Sequence, residues 1–353
     1  MAKEIRKKRL SLHKNCGISP LQSEAHMSTV APRSKELKVM NTIFLSEENN
    51  AIAPCVATIG FFDGIHRGHQ FLIKQVKEAA EAGRFASTVI TFDRHPRQVL
   101  HSNYVPQLLT TLEDKLLLLS KTGIDNTAVL HFDEAMARLS ALEFMQQVLR
   151  DRLKVKQLII GYDNRFGHNR EENFDDYARY GRELGIEVVQ SEAFLLHGVN
   201  VSSSVIRSFL QAGEVEMARQ CLGYPYTFVG KVVHGYGQGR KMGFPTANID
   251  TSESGQLTPE PGVYAVTIKV ENDAKVHHGM MNIGTRPTFE GQKLTQEVHL
   301  FDFDGDLYNK QIHVSFVHRI REERRFNNAF ELVEQLRKDR SQIKEQLKNE
   351  TEQ

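Results

Sequence analysis

No apolar run in this chain approaches the ~20 residues that a membrane-crossing helix needs, which argues against insertion in a bilayer. Cysteine is scarce: Cys16, Cys55 and Cys221 are the only 3 in 353 residues, and no two form a Cys-x-x-Cys pair. So thin a set supports neither a disulfide framework nor a structural zinc site, and it predicts a reducing, cytoplasmic setting. Net charge is small, at +1. The sequence has no internal repeat, and outside its N-terminal tail it has no low-complexity segment.

What is present fits a soluble protein with a core. Hydrophobic residues make up 40% and charged residues 25% of the chain. The length suits two domains of ordinary size. Charge is unevenly spread: residues 1–40 carry nine Lys/Arg against three Glu, a surplus of +6, and the other 313 residues sum to −5. The basic run KEIRKKRL reads either as an arm for nucleic acid or a membrane surface, or as a disordered extension. A disordered basic extension over 1–40 is the expectation, because the segment has neither hydrophobic periodicity nor the apolar core of a secretory signal. Met27 and Met40 both offer alternative starts.

From Val56 onward strand and helix signals alternate. VATIG, ASTVITF, TAVLHF, QLIIG and EVVQ read as buried strands. HQFLIKQVKEAAEAG, TTLEDKLLLLSKTG, SALEFMQQVLRDRL and FDDYARYGRELG read as amphipathic helices. Gly83 and Gly123 are expected stops, Thr111 is a cap, and Ser140 with Glu143 forms a capping box. That alternation predicts a doubly wound parallel α/β sheet over 41–222, with ligands beyond the C-terminal strand ends. After a boundary between Cys221 and Tyr226 the texture changes. TFVGKVVHG, GVYAVTIKV, HHGMMNIG, EVHLFDF and KQIHVSFVHRI follow closely with turns between them, which predicts a small antiparallel β-barrel over 223–353. A polar amphipathic helix from about Asn328 to Asn349 closes the chain.

The stretch TIGFFDGIHRGH sets His66 and His69 where a strand gives way to a helix. A helix N-terminus offers free N–H groups and partial positive charge, so it attracts phosphate. Gly64 and Gly68 let backbone approach a ligand. Two imidazoles there could donate to an α-phosphate as charge builds. A capping or surface role is the plain alternative; a metal pair is another, though no third ligand stands nearby. SSSVIR, from Ser202 to Arg207, offers hydroxyls at a second helix start and a guanidinium suited to a departing pyrophosphate; alone it would be a serine-capped helix with a surface arginine.

Further on, GYGQGRKMGFPTAN (235–248) forms a glycine-rich loop able to wrap phosphate. Thr246 and Asn248 stand two apart, hence on one face of an extended strand, and their oxygens suit magnesium. Glu297 could accept a proton from an attacking hydroxyl; a surface glutamate is the alternative. DFDGD (302–306) has the glycine at the wrong place for a calcium loop, and His313 where the closing Glu would stand. A hairpin turn is expected there instead.

HxGH with a distal Ser-rich/Arg motif resembles the nucleotidyltransferase superfamily. TIGFFDGIHRGHQ, TFDRHP, GYDNRFGHNR and VSSSVIRSFLQAG, followed by GYGQGRKMGFPTAN, GMMNIGTRPTF and IREERRF, occur in the order of the prokaryotic bifunctional riboflavin kinase/FAD synthetase family, from about Val56 to Asp339. The resemblance implies ATP-dependent phosphorylation of riboflavin to FMN, then adenylylation of FMN to FAD, both with Mg2+ and ATP. It implies catalytic roles for His66, His69, Arg207 and Glu297. Nucleotide contacts would come from Gly60, Phe62, Asp63, Gly64, Gly68, Asp163, Arg165, Ser203 and Ser204, and in the barrel from Gly235, Gly239, Lys241, Gly243, Thr246 and Asn248, the last two also holding the metal. Flavin contacts would come from Phe92, His95, Pro96 and Phe166 in the first module and Arg286, Arg321 and Phe326 in the second. Three places depart from the family: the phenylalanine pair at Phe61 and Phe62, Asn164 where the family has Phe, and Asn309 where it commonly has Gly. Altered flavin packing is expected from the aromatic change, and a changed turn at Asn309. Expected partners are small molecules, with no membrane and no nucleic acid, and a homo-oligomer is left open. Two other readings remain: a monofunctional kinase with a decayed first module, and a flavin- or RNA-binding regulator whose RNA binding would be salt-sensitive without ATP turnover.

Overall fold

The structure, a computed structural model, describes residues 39–351 apart from 46–51, 101–104, 106, 163, 169–170, 236 and 289–290. The basic extension expected over 1–40 falls almost wholly outside these residues, as do Cys16 and Asp163. Cys55 and Cys221 are free, buried thiols.

The first part alternates as the pattern predicts. Its elements are β1 (Asn41–Phe44), β2 (Cys55–Ile59), α1 (Arg67–Gly83), β3 (Ala86–Phe92), α2 (Pro96–Leu100), α3 (Leu112–Ser120), β4 (Asn126–Leu130), α4 (Glu134–Arg138), α5 (Ala141–Phe144), β5 (Val155–Ile160), α6 (Phe174–Leu184) and β6 (Glu187–Gln190). A small hairpin, β7 (Leu195–Leu196) and β8 (Val199–Asn200), leads to α7 (Ser203–Gln211) and α8 (Val215–Leu222). The six-stranded sheet has the order β1-β4-β3-β2-β5-β6 with every pairing parallel. All five residues of β2 are buried, as a central parallel strand covered on both faces requires.

Local chemistry explains the helix ends. Thr111 accepts from the Asp114 N–H, and Ser140 with Glu143 forms the expected reciprocal box. After Phe144 the hydrogen bonding loosens to a π-helix over Met145–Arg152, which the apolar spacing did not foretell. At the end of α1 the left-handed cap is Arg84 (φ 55), one residue beyond the expected stop at Gly83. The apolar stripe of α1, Leu72, Ile73, Val76 and Ala80, is buried; each larger side chain contributes about 2 kcal/mol by leaving water.

The second part is a closed antiparallel barrel, β10-β13-β12-β11-β14-β9. It is built from β9 (Thr227–Val233), β10 (Ala247–Asp250), β11 (Gly262–Val270), β12 (Val276–Thr288), β13 (Gly291–Leu300) and β14 (Gln311–Arg321), with a short α9 (Gln238–Lys241) before β10 and α10 (Ala329–Thr351) at the end. The segment DFDGD is a connection, not a hairpin turn: it follows β13 and precedes β14, and these strands are not neighbours in the barrel. Asn309 takes φ 62, the left-handed conformation glycine adopts most readily, so the change from glycine keeps the backbone conformation rather than altering the turn.

Side-chain packing runs through the junction near Gly223. Ile206, Leu210 and Leu222 of α7 and α8 share one buried cluster with Tyr226, Phe228, Tyr264 and Phe316 of the barrel. Among the described residues the two parts are therefore one compact unit.

Candidate active sites

β2 ends at Ile59 and delivers the chain into a tight turn before α1. Phe62 and Ile65 take left-handed conformations there (φ 55 and 33), at a conformational cost of about 1 kcal/mol each. Gly64 has φ 80, and a Cβ on it would lie 2.9 Å from Leu109 Cδ1. The turn ends on His66, whose Nδ1 accepts from the His69 N–H at 3.3 Å and so caps α1. An accepting ring nitrogen carries no proton, so neutral His66 keeps its hydrogen on Nε2. The imidazoles of His66 and His69 stack at 3.6 Å, and His69 Nδ1 is buried without a hydrogen-bond partner among the described residues. Burial, then the nearby Arg207 charge, lowers His66 to about 4. Burial foremost, with His66 and Lys115 adding, holds His69 well below the ordinary histidine value.

Two cavities meet at this turn. The smaller, about 360 Å³, is lined by His66, Gly68, His69, Ser202, Ser203 and Tyr162 among others. The larger, about 740 Å³, has an apolar wall of Phe92, Pro96, Phe132, Leu139, Phe144 and Phe166, with Arg165 on its rim. Their common lining includes Gly60, Phe61, His95, Asn164, Ser204 and Arg207. Asn164 donates its side-chain amide to the Ile59 carbonyl, so a polar contact to the end of β2 stands where the family has an aromatic ring. His95 packs edge-on against Phe61 at 4.8 Å.

Asp63 faces inward. Its carboxylate accepts from the Leu109 and Thr110 N–H groups at 2.9 and 3.1 Å and pairs with Arg207 Nη2 at 2.5 Å. Burial raises its pKa, and the Arg207 charge and the two N–H groups oppose that rise. Arg207 also donates Nε to the Gln107 carbonyl at 2.7 Å, and Ser203 donates to the Asp63 carbonyl at 3.0 Å.

Lys115 escaped the sequence reading. It is 3% exposed and donates to the Phe61 carbonyl (3.2 Å), Thr91 Oγ1 (3.1 Å) and the Phe92 carbonyl (3.0 Å), with its ammonium 4.3 Å from the Phe61 ring centre. Burial lowers it to about 8, against the pull of Asp63 and Asp93. The available signal was a lysine four residues before Leu119 on the buried stripe of α3.

In the barrel, β10 pairs with β13 so that Asn248 lies opposite Glu297. Thr246, one residue before β10, donates to a Glu297 carboxylate oxygen at 3.1 Å. The glycine loop folds over them: a Cβ on Gly235 would fall 1.9 Å from Asn248 Nδ2, and one on Gly239 would lie 3.2 Å from Thr246 Oγ1. Gly243 (φ 78) and the exposed Lys241 complete the loop. Thr246, Asn248 and Glu297 bring side-chain oxygens together here. That suits a hard ion such as Mg2+, which keeps its waters and takes phosphate oxygens. No three His, Cys, Asp or Glu side chains among the described residues gather as a metal cage. Arg321 is tied to buried Asp339 of α10 at 2.9 Å and lies 5.7 Å from the Phe326 ring centre. Arg286 lies on β12, with its side chain outside the described part. No described helix is long and apolar enough to cross a membrane.

Comparison with known proteins divides at the same place. The FAD synthetase family model matches residues 48–205, and the riboflavin kinase family model matches residues 222–347. A bifunctional riboflavin kinase/FMN adenylyltransferase of Haemophilus influenzae is 36% identical over 295 residues, spanning 84% of this chain and 95% of its own. Proteins of the same description from Escherichia coli K12 (38% over 285 residues; 81% and 90%) and Bacillus subtilis (37% over 314 residues; 86% and 97%) are similar to the same extent. The crystal structure of a macrolide-efflux protein from Streptococcus pneumoniae superposes with a TM-score of 0.77 at 28% identity, covering 87% of this chain and 99% of that one. What the two share is the fold.

Proposed function

The chain belongs to the family of bifunctional riboflavin kinases/FMN adenylyltransferases, and from that premise we propose that it makes FMN from riboflavin in its barrel and FAD from FMN in its α/β part. One observation carries the reading of the α/β part. A cavity of mixed polar and apolar lining at two helix N-termini adjoins a mainly apolar one, and Arg207, Ser204 and His95 stand on their common wall. A triphosphate suits the first and an isoalloxazine the second, so that FMN's phosphate meets the α-phosphate at the wall.

There, an FMN phosphate oxygen attacks the α-phosphorus of ATP and pyrophosphate departs. His66 Nε2 and His69 donate to the α-phosphate, while Gly60 and Gly68 line the cavity beside it. Gly64, expected from the sequence as a nucleotide contact, instead turns its N–H to Thr110 Oγ1 and its carbonyl to the Tyr224 hydroxyl, so it serves the turn and not the phosphate. Ser203, Ser204 and Arg207 receive the pyrophosphate, with Arg207 aimed by Asp63. Phe92, Pro96 and Phe166 pack the flavin. Asp163 and Arg165 take nucleotide contacts by family position, and Phe62 and Asp63 serve by shaping the turn. In the barrel, Glu297 accepts the proton of the riboflavin 5′-hydroxyl as the hydroxyl oxygen attacks the γ-phosphorus of ATP, whose bond to the β,γ-bridging oxygen breaks to release ADP. Gly235, Gly239, Lys241 and Gly243 enclose the phosphates, and Arg286, Arg321 and Phe326 border the flavin. Thr246 and Asn248 would hold Mg2+, which when bound neutralises charge on the transferring phosphate. A soluble cytoplasmic location fits substrates of this kind.

Incubating the purified protein with riboflavin and Mg-ATP and chromatographing the flavins tests this. FMN followed by FAD is expected. FMN alone would mean a silent first module, and neither product would leave a binding protein.

A further inference from the structure

We infer that Gln256, a residue of the barrel, is a positioning residue for adenylyl transfer in the α/β part. Between the two parts lies a strap, Gln107–Thr110. On one side it is held by the barrel turn: the Leu108 N–H donates to the Gly255 carbonyl and the Leu257 N–H to the Leu108 carbonyl, both at 2.9 Å, in a parallel bridge of Leu108 with Gln256. The Gln256 side chain is 9% exposed and fully engaged. Its Oε1 accepts from the Val229 N–H (2.9 Å), and its Nε2 donates to the Thr227 carbonyl (3.0 Å) and across the junction to the Leu109 carbonyl (3.3 Å).

On its other side the strap holds the adenylyl-transfer machinery. The Leu109 and Thr110 N–H groups grip Asp63, Thr110 Oγ1 accepts from the Gly64 N–H at 3.2 Å, and the Gln107 carbonyl accepts from Arg207 Nε. Leu109 itself is 1% exposed and belongs to the barrel-side core cluster. The Arg207 guanidinium is thus aimed by two groups, Asp63 and the Gln107 carbonyl, and both are set by a strap that the barrel anchors. A chain of hydrogen bonds, buried from Gln256 through Leu109 to Asp63 and exposed only at the Gln107 carbonyl, transmits a displacement of Gln256 to Arg207, and misplacement by about 1 Å can change a rate by up to about a hundredfold. The hydrogen bonds of the Gln256 side chain go to Val229, Thr227 and Leu109, outside the glycine loop and Glu297, so phosphorylation in the barrel is expected to be spared.

This inference rests on the proposed role of Arg207 toward pyrophosphate, and the experiment separates the two. Rates of FMN formation from riboflavin and of FAD formation from FMN are measured for Arg207→Ala, Gln256→Met, Asp63→Asn and the Gln256→Met/Asp63→Asn double variant. The KM for pyrophosphate in the reverse reaction is measured as well. The expectation is that Arg207→Ala abolishes FAD formation. Gln256→Met should lower it about tenfold and raise the pyrophosphate KM, with FMN formation unchanged as the internal proof of a folded barrel. The double variant should fall by much less than the product of the single losses, because both lesions act on one chain of contacts. If Gln256→Met unfolds the barrel, Leu108→Pro cuts the strap's bond to Gly255 while leaving every barrel residue in place, and the same selective loss of FAD formation is expected. Loss in Arg207→Ala with unchanged FAD formation in Gln256→Met, or in Leu108→Pro where that variant replaces it, would overturn the inference alone. Retained FAD formation in Arg207→Ala would overturn the reading beneath it as well.

Discussion

His66 combines two roles that the sequence presents as alternatives. Its Nδ1 caps α1, and that bond leaves Nε2 as the donor for an α-phosphate. Replacing its partner, His69→Ala, should lower FAD formation by about a hundredfold or more while FMN formation persists. Glu297→Gln should do the reverse, with FAD still formed when FMN is supplied and kinase turnover down by about a hundredfold or more. Rates of both steps, measured separately, check the pair; a folded variant lacking both activities would contradict the division. The same histidines make stability depend on pH. Folded His66 titrates near 4 and His69 well below its ordinary value, whereas the unfolded chain titrates both near 6.5. Between those values the unfolded chain binds more protons, so their contribution is complete above about pH 6.5 and is lost as pH falls toward 4. Urea midpoints should therefore drop between pH 7 and 5, and drop less in His66→Gln; an equal drop would contradict the assignment.

At the scale of elements, Lys115 on α3 ties the ends of β2 and β3 together beneath Phe61. Lys115→Met would remove the ammonium's bond to the Phe92 carbonyl and thin the contacts at the Phe61 carbonyl and Thr91 Oγ1, which keep their mutual hydrogen bond at 3.0 Å, at a cost of about 2 kcal/mol. Chemical denaturation should show that loss, together with slower FAD formation; an unchanged midpoint would show that the lysine is dispensable there. Lys115 also marks where legibility stopped. Strands with strong apolar runs, such as ASTVITF, and helices with local caps, such as that begun by Thr111, were readable because their signals lie within a few residues. β1 has only four residues, NTIF, and owes its place to pairing with β4, so nothing local announces it. DFDGD looked like a hairpin because adjacency of strands in sequence does not reveal the barrel order. For the sites, HxGH and PTAN were legible as motifs. The contacts from Asp63 to Leu109, and from Gln256 to Leu109, span 46 and 147 residues and exist only once the chain is folded.

For the whole molecule, the shared cluster joining α7 and α8 to the barrel implies that neither part melts alone. Calorimetry of the intact protein should show one cooperative transition, and two resolved transitions would contradict a common core. The central claim is that one chain carries two separate ATP-using sites. ATP labelled distinguishably at its α- and γ-phosphorus, incubated with riboflavin and Mg2+, reads both at once. The kinase step places the γ-label next to the flavin, and the adenylyl step adds the α-label. FAD carrying the two labels one to one is the predicted result. FMN carrying γ-label with no α-labelled FAD, or no labelled flavin at all, would contradict it.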